Sequence, residues 1–108
     1  MLLVHGSPQH SRTYEYFGPI LAEHFTVIAP DNRGAGDSTL SASDDYTALT
    51  AGGDLKAILD YMNVSKTYVL AHDKGVGLAA SLALENPDLI EKIVLAEYPL
   101  PGFGYPTK

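Results

Sequence analysis

Apolar residues along the chain fall into two arrangements, short unbroken runs and longer stretches with helical spacing, and their alternation predicts the architecture. Leu2, Leu3 and Val4 form a run that meets the turn-forming cluster His5-Gly6-Ser7-Pro8, which reads as a strand entering a loop. Thr13 stands where a helix cap belongs. After it Tyr14, Phe17, Ile20, Leu21 and Phe25 approximate one apolar face, with Gly18 and Pro19 disturbing the start. Residues 26–29 are a second apolar run, stopped by Pro30, and a polar loop follows through Asp45. A helix is predicted over residues 47–62, with Leu49, Leu55, Ile58, Leu59 and Met62 as its packing stripe. Residues 68–72 give the third strand, 74–85 the third helix and 93–96 the fourth strand, while 97–108 show no periodicity. The strands are apolar throughout rather than alternating. The expected class is therefore α/β, a parallel sheet with helices on both faces. No repeat or linker divides the chain, so residues 1–108 read as one domain.

The strand at 68–72 passes into the following helix with no loop between them, and Asp73 sits at the corner. So sharp a turn strains the corner residue and requires small residues two positions to either side, here Ala71 and Gly75. An aspartate that merely caps the helix would account for Asp73 but not for its two small flanks. Asp73 is therefore read as a catalytic carboxylate in a small-x-nucleophile-x-small pattern. A carboxylate is ionised at neutral pH and needs no base to attack saturated carbon, whereas a serine there would need its proton removed.

Composition narrows the partners. A net charge of -6 with no basic cluster argues against nucleic acid and anionic membrane. There is no cysteine for a disulfide, a thiolate nucleophile or a thiolate metal site. No apolar run approaches the roughly 18 residues of a membrane span, and residues 1–5 are too few for a secretory core, so a cytoplasmic location is expected. Gly34 and Gly36 lack the third glycine and the setting of a dinucleotide fingerprint, and neither cofactor nor metal is expected. The sequon Asn63-Val64-Ser65 falls at a helix-to-strand junction and reads as chance. Asp31 and Arg33 read as an ion pair within their loop. His72 points away from Asp73, since adjacent strand residues face opposite sides. His5 reads as a loop-stabilising residue, and His10 and His24 as surface positions.

Three segments together, each at the end of a predicted strand, resemble the alpha/beta-hydrolase superfamily: His5-Gly6-Ser7-Pro8, Asp31-x-Arg33-Gly34-x-Gly36-x-Ser38, and Ala71-His72-Asp73-Lys74-Gly75. The first is similar to the family's HGxP oxyanion loop and the last to its nucleophile elbow. An aspartate at the elbow together with HGxP is similar to the epoxide hydrolases and related dehalogenases. The resemblance implies a partial core, strands three to six of the family fold, in the spatial order second, first, third, fourth. It also implies that residues 97–108 start the connection to a cap that this chain lacks, with the histidine base absent. The implied chemistry is epoxide hydrolysis through an ester on Asp73, on a small organic substrate. The backbone amides of Ser7 and Lys74 would form the oxyanion hole, and Glu97 would be a candidate triad acid. The alternative is a haloalkane or haloacid dehalogenase. Against it, Lys74 stands where haloalkane dehalogenases commonly place tryptophan, and Val76, Gly77 and Leu78 offer no arginine of the fluoroacetate type. A further alternative is a non-catalytic remnant or ligand-binding module. The 108 residues alone are expected to be inactive and to expose sheet edges that invite self-association.

Overall fold

The computed structural model describes residues 1–98, so the reading of the tail as a connection to a cap falls, from residue 99 onward, outside the described residues. Three parallel strands, β1 (Leu2–Val4), β2 (Thr67–His72) and β3 (Ile90–Ala96), lie side by side in that order. Val4 stands opposite Ala71, and His72 opposite Ala96. Three α-helices accompany them, α1 (Phe17–Leu21), α2 (Ala48–Tyr61) and α3 (Gly75–Glu85).

The expected second strand is reduced to one bridge. Leu3 N donates to Ile28 O and Ile28 N to Met1 O, both at 2.9 Å, and no further ladder forms. Pro30 has no N–H to continue it. The bridge lies against β1 on the side away from β2, so the spatial order second, first, third, fourth is kept while the strand itself is not.

The first helix also departs from expectation. A 3-10 turn over Ser11–Tyr14 is capped by His10, not Thr13, and the α-helical part is only five residues long. Pro19 sits in its first turn, where proline is tolerated but the apolar rhythm is cut short. Phe17 and Ile20 consequently face solvent.

α2 is capped at its start by Thr47, whose hydroxyl accepts from Thr50 N, and at its end by Met62. Asn63, in left-handed backbone at φ 58°, follows it, with Val64 N closing on Leu59 O. The asparagine of the sequon thus has a helix-ending role, since asparagine tolerates this conformation. Of the expected stripe, Leu55 and Leu59 are buried and Ile58 packs beside them, but Leu49 and Met62, at the two ends, are exposed. Their place is taken by Ala51 and Gly52. A Cβ on Gly52 would lie 3.1 Å from Leu78 O, so small residues bring α2 close against α3.

Leu2, Val4, Val69 and Ala71 form one sheet face, and with Leu55, Leu59, Val76, Ala79 and Leu82 they make the core. Tyr68 projects to the opposite face, where Phe25 meets it edge to face with ring centres 5.7 Å apart. β1 is wholly buried, whereas β3 exposes Ile93 and Val94 and pairs on one side only among the described residues. No helix among them is long and apolar enough to cross a membrane.

Candidate active site

Parallel strands deliver their C-terminal ends to one edge of the sheet, and that edge collects three segments: the loop after β1, the corner after β2 and the loop after the Ile28 bridge. Asp73 adopts φ 53°, the left-handed region, which aspartate enters more readily than most residues. The chain turns there directly into α3. Both small flanks are enclosed, and at Gly75 the enclosure excludes a side chain. Ala71 is fully buried opposite Val4, and a Cβ on Gly75 would lie 2.5 Å from Val4 O and 2.6 Å from His5 O. Lys74 stands at the cap position before α3 and makes no side-chain cap hydrogen bond.

The Asp73 carboxylate faces the loop after β1. Ser7 N donates to its Oδ1 at 3.0 Å, and Asp73 N donates to Ala96 O at 3.0 Å, which ties the corner to the end of β3. The amides of Lys74 and Ser7 hold the carboxyl below its ordinary range by favouring the charged form. Ser7 is followed by a cis peptide bond to Pro8. Gly6 is constrained as closely as Gly75, because a Cβ there would collide with Asp73, 2.7 Å from its Oδ1. An open depression of about 490 Å³ adjoins Ser7 and Lys74 and is walled by Gln9, Asn32, Tyr46 and Leu78. A larger one, about 640 Å³, lies beyond Arg33 among Ser38 to Ser43 and Ile58, and touches neither Ser7 nor Asp73.

Glu97 follows β3 directly. It is exposed, with φ 62°, and is the residue after the carbonyl that receives the Asp73 amide. No hydrogen bond joins Asp73 to a histidine among the described residues. His5 is buried in the loop network, His10 caps the 3-10 turn, and His24 is exposed.

The expected ion pair between Asp31 and Arg33 does not form. Arg33 turns to α2 and grips Asp54 with both arms of its fork, Nε to Oδ2 at 2.5 Å and Nη2 to Oδ1 at 2.6 Å, and also donates to Asp45 O at 2.8 Å. A carboxylate one helix away matches the planar guanidinium, whereas Asp31 is already occupied by backbone. Its Oδ1 accepts from Ser11 N at 2.7 Å and its Oδ2 from Asp37 N at 2.9 Å. These amides, Asp37 first and then Ser11, lower its pKa from 3.8 to about 2. The sign follows from linkage: a depressed carboxyl stabilises the fold above its unfolded value, and that stabilisation is lost as pH falls through the folded one. We expect acid unfolding to draw on Asp31 between pH 3.8 and about 2, with Asp31→Asn flattening the stability curve in that window. An unchanged curve would remove Asp31 as the tie between these loops.

Two residues of this edge have no local sequence signal. Asn32 donates from Nδ2 to His5 O and from its backbone to His5 Nε2, both at 3.0 Å. Asp54 is 21 positions from Arg33. Gly6 does have a signal, a glycine two residues beyond a strand end and just before an X-Pro step.

Comparison with known proteins bears on the fold and the family. The chain is 36% identical over 104 residues to a soluble epoxide hydrolase from a Corynebacterium species, covering 94% of this chain and 35% of that protein. It is 27% identical over 101 residues to a fluoroacetate dehalogenase from a Burkholderia species, covering 90% of this chain and 33% of that one. A solved epoxide hydrolase, CorEH without ligand, superposes with a TM-score of 0.88 at 33% identity, over 98% of this chain and 38% of that chain. The chain thus spans about a third of the length of these relatives. The sequence model of the family described as alpha/beta hydrolase fold matches residues 1–107. With a parallel sheet, a strand turning straight into a helix at Asp73 and this match along nearly its whole length, the chain belongs to the alpha/beta hydrolase fold family.

Proposed function

We propose that this chain carries the nucleophile elbow and oxyanion hole of an epoxide hydrolase that works through an ester on Asp73. The observation that carries the reading is the pairing of a left-handed Asp73 at the strand-helix corner with the Ser7 amide on its carboxylate. Asp73 attacks one carbon of the epoxide ring, that C–O bond breaks, and the released alkoxide takes a proton from a donor. A water, deprotonated by a histidine that residues 1–98 do not bring to Asp73, then adds to the ester carbonyl. The negative charge that develops on that oxygen is received by the Ser7 and Lys74 amides. Collapse breaks the ester C–O bond, the departing diol oxygen takes the remaining proton of the added water, and the histidine's proton returns to the donor, so the carboxylate is restored and epoxide and water give diol with no other reagent. Glu97, beside the carbonyl that receives the Asp73 amide, is the candidate acid to hold that histidine's tautomer. The epoxide hydrolase relatives support small organic epoxides as the substrate class.

The dehalogenase reading draws support from the fluoroacetate dehalogenase relative. The two separate by product. A form completed to the relatives' length is expected to convert a styrene-type epoxide to its diol and to release no halide from haloalkanes or fluoroacetate. Halide release without diol formation would favour the second reading. The 108-residue chain alone is expected to form no diol, and diol formation lost in Asp73→Ala would contradict that.

A further inference from the structure

We propose that His5 is a positioning residue: locked in one tautomer by Asn32, it fixes the peptide that presents the Ser7 amide to Asp73. The proposal takes its catalytic meaning from the elbow reading above, but its geometry stands apart from it.

A backbone N–H can only donate. Asn32 N lies 3.0 Å from His5 Nε2, so that nitrogen carries the lone pair, and the proton of the neutral ring sits on Nδ1. Nδ1 lies 2.9 Å from Gly6 O, which therefore accepts from it. Gly6 O and Ser7 N belong to the same planar peptide, so holding the oxygen sets the direction of the N–H. That N–H points at Asp73 Oδ1, 3.0 Å away. Gln9 N adds a second donor to Gly6 O at 2.9 Å. The run Asn32, His5, Gly6, Ser7, Asp73 is thus continuous, and the donor at its head sets the direction of the bonds behind it.

Two observations indicate that the arrangement is built for orientation. His5 is a polar ring only 2% exposed, kept where an apolar side chain would fill the space without needing partners. Asn32 spends Nδ2 on His5 O at 3.0 Å while its own Oδ1 is buried without a partner, and such an orphan acceptor costs stability. The loop also has little room to shift by itself, since Gly6 packs on Asp73 and His5 O packs on Gly75.

Nitrogen-detected NMR of the 108-residue chain tests this without requiring turnover. In the neutral wild-type ring the proton is expected on Nδ1 and not on Nε2, and the Ser7 amide signal is expected to move as Asp73 titrates. His5→Asn, which places an amide donor near the Nδ1 position, should retain the coupled movement. His5→Phe, which fills the space but has neither nitrogen, should lose it and let the Asp73 titration rise toward the ordinary 3.8. A wild-type ring protonated on Nε2 overturns the proposal whether or not His5→Phe folds. So does a folded His5→Phe with unchanged Ser7 and Asp73 titrations. Failure to find an ester on Asp73 would remove the catalytic reading and leave these results standing.

Discussion

Gly75→Ala is expected to destabilise the fold by about 1–3 kcal/mol or more, the range for overpacking a closed site. The added Cβ would stand 2.5 Å from Val4 O and 2.6 Å from His5 O. Both obstacles are backbone atoms at the end of β1, a strand buried along its whole length, so no rotamer change makes room. Relief requires α3 to lift off the sheet, which opens the contacts of Val76 and Ala79 with the core. Gly53→Ala is the control. Nothing lies within 4 Å of a Cβ there, and the position is an exposed helix interior, where alanine is favoured over glycine by roughly 0.5–1 kcal/mol. Urea unfolding of the two variants should therefore shift the midpoint in opposite directions. A Gly75→Ala chain as stable as the parent would mean that α3 does not meet β1 as closely as described.

Asp73→Asn is expected to have the larger effect on chemistry and little on folding. In a form completed to the relatives' length, turnover should fall by on the order of 10⁴-fold or more, the scale of losing a residue that forms the covalent bond. An amide oxygen is a poor nucleophile and carries no charge. Yet it can still accept from Ser7 N, and asparagine, like aspartate, tolerates the left-handed backbone at this corner. Asp73→Ala loses both advantages and should also lower stability. The asparagine variant is therefore the cleaner probe, and the two must be compared by kcat and by thermal midpoint together. Full activity in a folded Asp73→Asn chain would exclude an aspartyl ester.

The parts of this molecule legible in its sequence are those specified by local pattern. β1, α2, β2 and α3 lie within a residue or so of the bounds read from periodicity, because unbroken apolar runs and helical spacing are each enforced by burial against the same core. The corner at Asp73 was legible for a different reason, since one of its small flanks, Gly75, answers a steric demand that now has named atoms, the carbonyls of Val4 and His5. Where the sequence misled, the missing information was non-local. The run at 26–29 has the composition of a strand, but strand length is set by what pairs beside it, and only Ile28 bridges. Arg33 has an aspartate two positions away, yet its fork is satisfied on α2 by Asp54. Nothing near Asn32 announces that it holds His5 at both ring nitrogen and carbonyl. The sharp corner at Asp73 was thus readable, while the groups that hold it and the neighbouring loop in place were not.

The central claim, that Asp73 bonds to substrate, is tested most directly by one turnover in heavy-oxygen water with enzyme in excess over epoxide, in a form completed to the relatives' length. If water attacks the ester carbonyl, the diol takes its new oxygen from the Asp73 carboxylate. The first diol released is then unlabelled, and the peptide containing Asp73 gains one heavy oxygen. If instead the first diol carries the label and the Asp73 peptide is unchanged, water has attacked the substrate itself and the ester mechanism is wrong.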